Sequence, residues 1–185
     1  MGKEVKLLDD IMTSPPKLDR TIFFQDTSCK NGIVSFTPRQ ACAIESTAMW
    51  NPNRDIFVLF TSPVGLPSNG QINSPLVKAL STYSNIQYRN VDWYKFSVGT
   101  PAEEWVKKDK MLTTIHFMGH LSDFLRLLAL YKFGGIHIDL DFIVKSTFEQ
   151  FPPNFIGAQD DKEIQNSFYG FESRDVGHKI VELFL

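Results

Sequence analysis

The sequence has few cysteines and no long apolar run, and both absences restrict what the chain can be. Cys29 and Cys42 are the two cysteines in 185 residues. They lack the spacing typical of a metal site, and they could form one disulfide bond in an oxidising compartment. No apolar stretch approaches the roughly 18 residues that a membrane-spanning helix needs. The charged segment 1–10 also differs from a signal peptide, which carries an apolar stretch there.

The chain has no excess of charge of one sign. Its 19 basic and 21 acidic residues are spread along the sequence and leave a formal charge of −2. A surface of one sign that would recruit nucleic acid or anionic lipid is therefore not expected, and any ligand must be recognised locally. The apolar fraction of 43% is enough to build a core. We predict an N-terminal extension over residues 1–20 and one domain over 21–185, incomplete at its C-terminal side.

Short segments rich in β-branched and aromatic residues alternate with segments that begin like helices, which is the pattern of an α/β fold. Strands are predicted at 21–25, 55–61, 86–92 and 136–144, and near Phe155 and Phe168. Helices are predicted to begin at Thr37, Ser74, Thr100, His116 and Asp175. At the first three positions a hydroxyl residue precedes proline, which favours a helix start. After Thr37 and Thr100, a glutamine or glutamate three residues later would complete a capping box.

The longest predicted helix spans residues 116–133, because its apolar side chains recur at three- and four-residue steps. Gly134-Gly135 would end it. His120, Asp123 and Arg126 fall on one side of this helix. Asp123 and Arg126 fit an ordinary intrahelical ion pair, but Arg126 could instead hold a phosphate. His120 is expected to be packed or at the surface.

Two aspartates in the predicted strand 136–144 carry the main chemical signal. Because side chains alternate along a strand, Asp139 and Asp141 would share a face with His137. Carboxylates about 7 Å apart would repel each other by about 1–2 kcal/mol at an effective dielectric of about 20–40. A hard divalent cation would relieve this repulsion, and such ions often take one or two carboxylates together with substrate phosphates. The pair therefore predicts a cation and a diphosphate ligand.

An Asp-x-Asp triplet has other interpretations. It occurs by chance in solvated loops, although its place at the carboxyl end of a buried-looking strand is where open α/β sheets hold their active sites. A phosphatase of the haloacid-dehalogenase type would use Asp139 as nucleophile and Asp141 as acid. That class follows the pair with a small hydroxyl residue and needs further acidic and lysine motifs downstream, whereas Ile143 follows here.

Several separated motifs occur in a specific order. They are Ser122-Asp123, Arg126, Gly134-Gly135-Ile136 and Asp139-Leu140-Asp141. Together they resemble the sugar-binding region of the alpha-1,4-galactosyltransferase and alpha-1,4-N-acetylglucosaminyltransferase family. Segments 23–28, 42–46 and 100–105 are similar to that family's first strand and turn, its first helix and the segment before its long helix. The resemblance spans residues 22–185.

This resemblance implies a GT-A fold and a retaining transfer of Gal, GalNAc or GlcNAc from a UDP-sugar, in alpha linkage, to a glycolipid or glycan acceptor at the Golgi membrane. It also implies Mn²⁺ or Mg²⁺. By the family pattern, Asp139 and Asp141 serve the metal and the diphosphate, and Asp123 and Arg126 lie against the donor. The turn Asp26-Thr27-Ser28 would lie near the nucleoside. The resemblance identifies no catalytic nucleophile.

The sequence departs from the family pattern at two residues and in length. His137 stands where family members usually have tyrosine, and Asp26 stands where they have glutamate. We expect the first to change donor packing and the second to shorten a polar contact. Family chains begin with a membrane anchor and continue into acceptor-binding segments that are not found here. An inactive, donor-binding fragment of such an enzyme is therefore the alternative expectation.

Overall fold

The computed structural model describes residues 5–28 and 32–185. Its strands are β1 (Val5–Leu7), β2 (Thr21–Asp26), β3 (Gly32–Ile33), β4 (Asp55–Phe60), β5 (Val64–Pro67), β6 (Ile86–Asn90), β7 (Gly135–Ile138), β8 (Phe155–Ala158) and β9 (Ile164–Phe171). Its helices are α1 (Pro38–Trp50), α2 (Pro75–Leu80), α3 (Trp93–Ser97), α4 (Glu103–Lys107), α5 (Phe117–Phe133) and α6 (Asp175–Phe184), with a 3-10 helix at Lys110–Thr113. The possible pairing of Cys29 with Cys42 lies outside the described residues, because Cys29 is not among them.

The strands form two sheets. The larger sheet has the order β6-β4-β2-β7-β9-β8, and the smaller has the order β1-β5-β3. In the larger sheet β6, β4, β2 and β7 run parallel, whereas β9 and β8 are joined antiparallel at one side. The predicted α/β class is confirmed, with four of the six strands of the larger sheet running parallel.

The central strands are buried on both faces, as their nearly continuous apolar runs predict. Phe23 and Phe57 pack with the side chains of α5, and Ile22 and Phe24 pack with those of α1 and α2. None of these four side chains is more than 2% exposed. Because both faces of the sheet are covered, polar groups on these strands can reach solvent at the strand ends.

Two helices near the sheet's carboxyl edge follow their sequence signals. Helix α1 begins with the predicted capping box: Thr37 Oγ1 accepts a hydrogen bond from Gln40 N, and Gln40 Oε1 accepts one from Thr37 N. Helix α5 covers the predicted range, with Leu121, Leu125 and Leu128 buried beneath it. The start of α1 is therefore fixed by local sequence, whereas no side chain caps α5.

The predicted helix start at Thr100 is wrong by about one turn. Helix α4 begins at Glu103, and no side chain caps it. The Thr100 hydroxyl instead donates to the Ser97 carbonyl at 2.6 Å, and Glu103 Oε2 accepts from Gly99 N at 2.8 Å. The preceding helical turn of α3 offers nearby acceptors, and these local bonds replace the capping box.

The predicted strand 136–144 is too long. Strand β7 ends at Ile138, where Asp139 N still donates to Ser167 O of β9 at 3.0 Å. A bond from Phe142 N to Asp139 O at 3.2 Å then closes a turn. The chain leaves the sheet because Val144 is buried against α1, where its N–H donates to Ser46 Oγ. Packing against α1 outweighs the local β-branched signal.

The segment before β2 packs onto the domain. Strand β1 pairs with β5, and Ile11 is fully buried in the core beneath α5. Asp19 accepts hydrogen bonds from Ser173 N and Ser173 Oγ, which join this segment to the chain after β9. Within the described residues, no helix has the length and apolar character required to cross a membrane.

Candidate functional site

The segment Asp139-Leu140-Asp141, here called the acidic turn, lies at the carboxyl end of β7, next to the central strand β2. The expectation that both carboxylates project from one face of a strand is wrong, because both follow the last strand residue. Instead the turn borders an open depression of about 440 Å³. The depression is lined by Thr37, Arg39 and Gln40 at the start of α1, by Gly119, Ser122, Asp123 and Arg126 of α5, and by the acidic turn.

Asp139 is held in place by two buried side chains. Its Oδ1 lies 3.0 Å from His137 Nε2 and 3.5 Å from Arg126 Nη2. No hydrogen bond or ion pair from the described residues uses its second oxygen, Oδ2. One oxygen of Asp139 therefore contacts the protein, and the other is available to a ligand.

Asp141 differs from Asp139 in its exposure and partners. Its side chain is exposed, and no described residue bonds to its carboxylate. Its backbone carbonyl accepts a hydrogen bond from Arg39 Nη2 at 3.3 Å. The turn is thus tied to α1 through its backbone, while the Asp141 carboxylate is available to a ligand.

Arg126 is buried, and its guanidinium is surrounded by acceptors from the protein. It donates to the Asn166 carbonyl of β9 and to Ser122 Oγ, and it lies 3.2 Å from Asp123 Oδ1. The intrahelical ion pair expected from the three-residue spacing is therefore formed. With these partners and Asp139 around it, Arg126 positions carboxylates and has little capacity left for a phosphate.

Asp123, unlike the buried Arg126, is open to solvent in the depression. Its side chain is half exposed, and Asn166 Nδ2 donates to Asp123 Oδ1 at 3.0 Å. The same oxygen faces Arg126, so both contacts with the protein use Oδ1. His120 is exposed, with its ring 6.0 Å from that of His116, and it is not part of the depression's lining.

His137 lies behind Asp139 and does not line the depression. It is 1% exposed, and this burial lowers its pKa below the ordinary value, so the ring is neutral at pH 7. The contact of Nε2 with Asp139 requires the hydrogen on Nε2, and the opposite nitrogen has no partner in the described part of the chain. A contact of His137 with the donor would therefore be indirect, through Asp139.

The turn Asp26-Thr27-Ser28 lies at the carboxyl end of β2 but outside the depression. Asp26 is buried and accepts from Ser28 N at 2.9 Å; both residues border a separate small pocket with Ser62. Thr27 Oγ1 donates to the Met118 carbonyl at the start of α5. The structure thus brings Asp123, Arg126, Asp139 and the rest of the acidic turn together, but not these three residues.

Some residues of the depression were not anticipated from the sequence. Arg39 and Gln40 of α1 carried no functional prediction, although the capping box had marked where α1 begins. Asn166 of β9, which contacts Asp123 but does not line the depression, carried none either. A capping box predicts where a helix starts, but it does not predict which part of the fold lies next to that start. The arrangement of strands would have been needed to place this helix beside the acidic turn.

The donor atoms of the acidic turn suit a hard divalent cation. Carboxylate oxygens of Asp139 and Asp141 are available, and such oxygens are the ligands that Mg²⁺ and Mn²⁺ prefer. Among the residues that the structure describes, no group of three or more His, Cys, Asp or Glu side chains could hold a metal. A cation here would therefore need phosphate or water oxygens to complete its coordination.

Comparisons of the chain with protein families, curated proteins and solved structures all find glycosyltransferases. The family described as "Glycosyltransferase sugar-binding region containing DXD motif" matches residues 37–162. Lactosylceramide 4-alpha-galactosyltransferase of Rattus norvegicus is 30% identical over 155 residues, covering 83% of this chain and 41% of that protein. Alpha-1,4-N-acetylglucosaminyltransferase of Homo sapiens is 27% identical over 135 residues, covering 71% of this chain and 38% of that protein.

Among solved structures, the PaToxG glycosyltransferase has a TM-score of 0.54 and 19% sequence identity, covering 91% of this chain and 60% of that one. This similarity shows the fold. The chain spans about two fifths of the length of the two curated relatives. With the match over 37–162, which includes the acidic turn, the chain belongs to the family of glycosyltransferases whose sugar-binding region contains a DXD motif, on a GT-A-like α/β fold.

Proposed function

We propose that this chain carries the donor site of a retaining glycosyltransferase. It would move Gal, GalNAc or GlcNAc from a UDP-sugar, in alpha linkage, to a glycolipid or glycan acceptor. The observation that supports this most directly is the exposed carboxylate of Asp141, which has no partner among residues 5–28 and 32–185, next to the fixed carboxylate of Asp139 at an open depression. The names of the curated relatives, a 4-alpha-galactosyltransferase and an alpha-1,4-N-acetylglucosaminyltransferase, support Gal and GlcNAc among these sugars and the alpha linkage.

Asp139 and Asp141 would hold Mn²⁺ or Mg²⁺ in this proposal. Such a cation, when bound, neutralises charge on the diphosphate as it leaves the sugar. The protein's part is to fix the geometry: Arg126 and His137 hold Asp139, and Arg39 holds the backbone of the acidic turn. Preorganised charges of this kind lower a barrier because they need no rearrangement during the reaction.

The reaction exchanges one bond for another at the anomeric carbon of the donor. The bond from that carbon to the β-phosphate oxygen breaks, and its electron pair leaves with UDP. The acceptor hydroxyl oxygen forms the new bond, and its proton passes to a phosphate oxygen of UDP. Asp123 would orient the donor sugar by hydrogen bonding, and its half-exposed carboxylate, fixed through one oxygen, supports this role.

The cellular setting follows from the family resemblance. We propose that the protein acts at the lumenal side of the Golgi membrane, where an acceptor of the lactosylceramide class would be available. The curated relatives that act on lactosylceramide, by their printed names, motivate a glycolipid acceptor. The phosphatase interpretation of Asp139 has no support from the family match.

Calorimetry with UDP and MnCl₂ tests the donor site. Asp141→Asn should lower metal-dependent UDP affinity at least tenfold, which is about 1.4 kcal/mol. Asp161→Asn, a change at an exposed aspartate outside the depression, is the matched control and should bind UDP as the unmodified chain does. Unchanged affinity in Asp141→Asn would rule out the proposed metal site. A parallel assay of UDP release with a lactose-terminated acceptor separates transfer from donor binding without transfer.

A further inference from the structure

The charges around the depression do not balance once a nucleotide sugar is present. Asp139 and Asp141 together carry the charge that one divalent cation neutralises, and Asp123 is paired with Arg126 at 3.2 Å. The diphosphate of a UDP-sugar adds two further negative charges. Of the basic residues that line the depression in the described part of the chain, Arg39 then remains as the uncompensated cation.

Arg126 cannot readily supply this charge. Its side chain is buried, and its nitrogens face Asn166 O, Ser122 Oγ and two carboxylates. Turning its guanidinium toward a ligand would leave Asp139 without its cationic partner. The guanidinium is buried and Asp139 is one-third exposed, so separating the two is unfavourable, although less so than for a fully buried pair.

Arg39 is in the opposite situation. Its side chain is exposed, and its one described hydrogen bond joins Nη2 to the Asp141 carbonyl at 3.3 Å, near the long end of the ordinary range. No carboxylate of the described residues lies within ion-pair distance of it. Its remaining N–H groups are therefore available beside the carboxylates proposed to hold the cation.

The position of Arg39 also argues against a role in stability. It is the second residue of α1, where the aligned N–H groups of the helix favour negative charge and disfavour positive charge. Helix α1 already has its capping box from Thr37 and Gln40. A cation in this first turn therefore does not stabilise the helix, but it does face the depression.

We propose that Arg39 is a donor-binding residue that contacts the diphosphate of the nucleotide sugar beside the acidic turn. This inference rests on the proposed function. A guanidinium forms paired hydrogen bonds with phosphate oxygens, and here it stabilises the charge that develops on the β-phosphate as the sugar bond breaks. Its hydrogen bond to the Asp141 carbonyl keeps the guanidinium next to the acidic turn.

The test compares Arg39→Gln, Arg39→Lys and Arg20→Gln in the whole chain. Arg20 is a matched control because it is also exposed and also donates through Nη2 to a backbone carbonyl, that of Asn53, outside the depression. Affinities for UDP with MnCl₂ and for uridine are measured by calorimetry and ligand-observed NMR. The melting temperature of each variant is recorded in the absence of ligand.

Arg39→Gln should weaken UDP binding at least tenfold, leave uridine binding unchanged and leave the melting temperature unchanged or higher. Arg39→Lys should fall between it and the unmodified chain, because the charge remains but the paired geometry is lost. Arg20→Gln should bind UDP normally.

Equal UDP binding in Arg39→Gln and the unmodified chain, with binding lost in Asp141→Asn, overturns this inference alone. An equal loss of uridine binding, or a lowered melting temperature, also overturns it by showing a structural role. Failure of the unmodified chain to bind UDP with MnCl₂ overturns the proposed function as well.

Discussion

Arg126 Nη2 lies 3.5 Å from Asp139 Oδ1, and the same guanidinium donates to the Asn166 carbonyl of β9. One side chain of α5 therefore joins the acidic turn to the neighbouring antiparallel strand. Since Arg126 is buried, these contacts are poorly screened by solvent, and they set the position of Asp139 before any ligand arrives.

Arg126→Lys should destabilise the fold and weaken donor binding together. A lysine keeps the charge but cannot reach Asn166, Ser122 and Asp139 at once, so we expect a loss of about 1–3 kcal/mol in the free energy of unfolding. Urea denaturation measures this loss, and calorimetry with UDP and MnCl₂ measures the binding. Arg20→Lys at the exposed surface is the control, with a change within about 0.5 kcal/mol. Unchanged stability in Arg126→Lys would show that the buried contacts contribute nothing.

Substitution of the two aspartates of the acidic turn should change the free energy of unfolding by different amounts. Asp139→Asn removes one of the two carboxylate partners of Arg126 and should lower the free energy of unfolding by about 1 kcal/mol, a value reduced for the partial exposure of Asp139. Asp141→Asn should stay within about 0.5 kcal/mol of the unmodified chain, because its carboxylate has no described partner. Thermal unfolding in EDTA tests this difference, and equal effects of the two variants would contradict it.

Gly135 should not tolerate alanine. Its φ is +103°, and a Cβ would lie 2.3 Å from the Thr21 carbonyl oxygen of the adjacent central strand. Gly135→Ala should therefore cost about 2–4 kcal/mol of stability. Gly119→Ala in α5 meets no atom within 4 Å and should instead stabilise the helix by about 0.5–1 kcal/mol. Chemical denaturation of both variants is the measurement, and similar effects would refute the steric argument.

Tyr88 gives a prediction at alkaline pH. Its hydroxyl is buried, no described residue bonds to it, and burial raises its pKa above the ordinary value. The unfolded chain releases this proton near pH 10, whereas the folded chain keeps it, so stability falls as the pH rises above about 10. Tyr88→Phe should be neutral or slightly stabilising at pH 7 and should gain further on the unmodified chain at pH 10.5. Urea midpoints at both pH values test this, and a constant difference between the two proteins would contradict it.

The elements that the sequence predicted well are those governed by local chemistry. The run 55–61 is apolar almost throughout, so strand β4 follows from it, and the hydroxyl, proline and glutamine of the capping box determine where α1 begins. Strands β1, β3 and β5 were not predicted. They are two to four residues long and belong to the small sheet, so no periodicity marks them.

The candidate site was only partly predictable for the same reason. The Asp-x-Asp spacing identified Asp139 and Asp141, but their geometry depends on where β7 leaves the sheet, and that is set by packing of Val144 against α1. The approach of Arg39 to Asp141 joins residues 102 positions apart, and that of Arg126 to Asn166 joins residues 40 positions apart. Contacts at such separations arise from the order of the strands, which no local pattern contains.

The end of β7 at Ile138 has a consequence for how the site can adapt. Residues 140 and 141 lie beyond the last backbone bond between β7 and β9, so their dihedral angles can adjust without altering the pairing of any strand. An ion of different radius, or a donor with a bulkier sugar, could thus be accommodated by small rotations of two peptide units. The pairing of β7 with β2 and β9 would be unaffected, so under the proposed function these are the two positions where a change of bound ion would disturb the fold least.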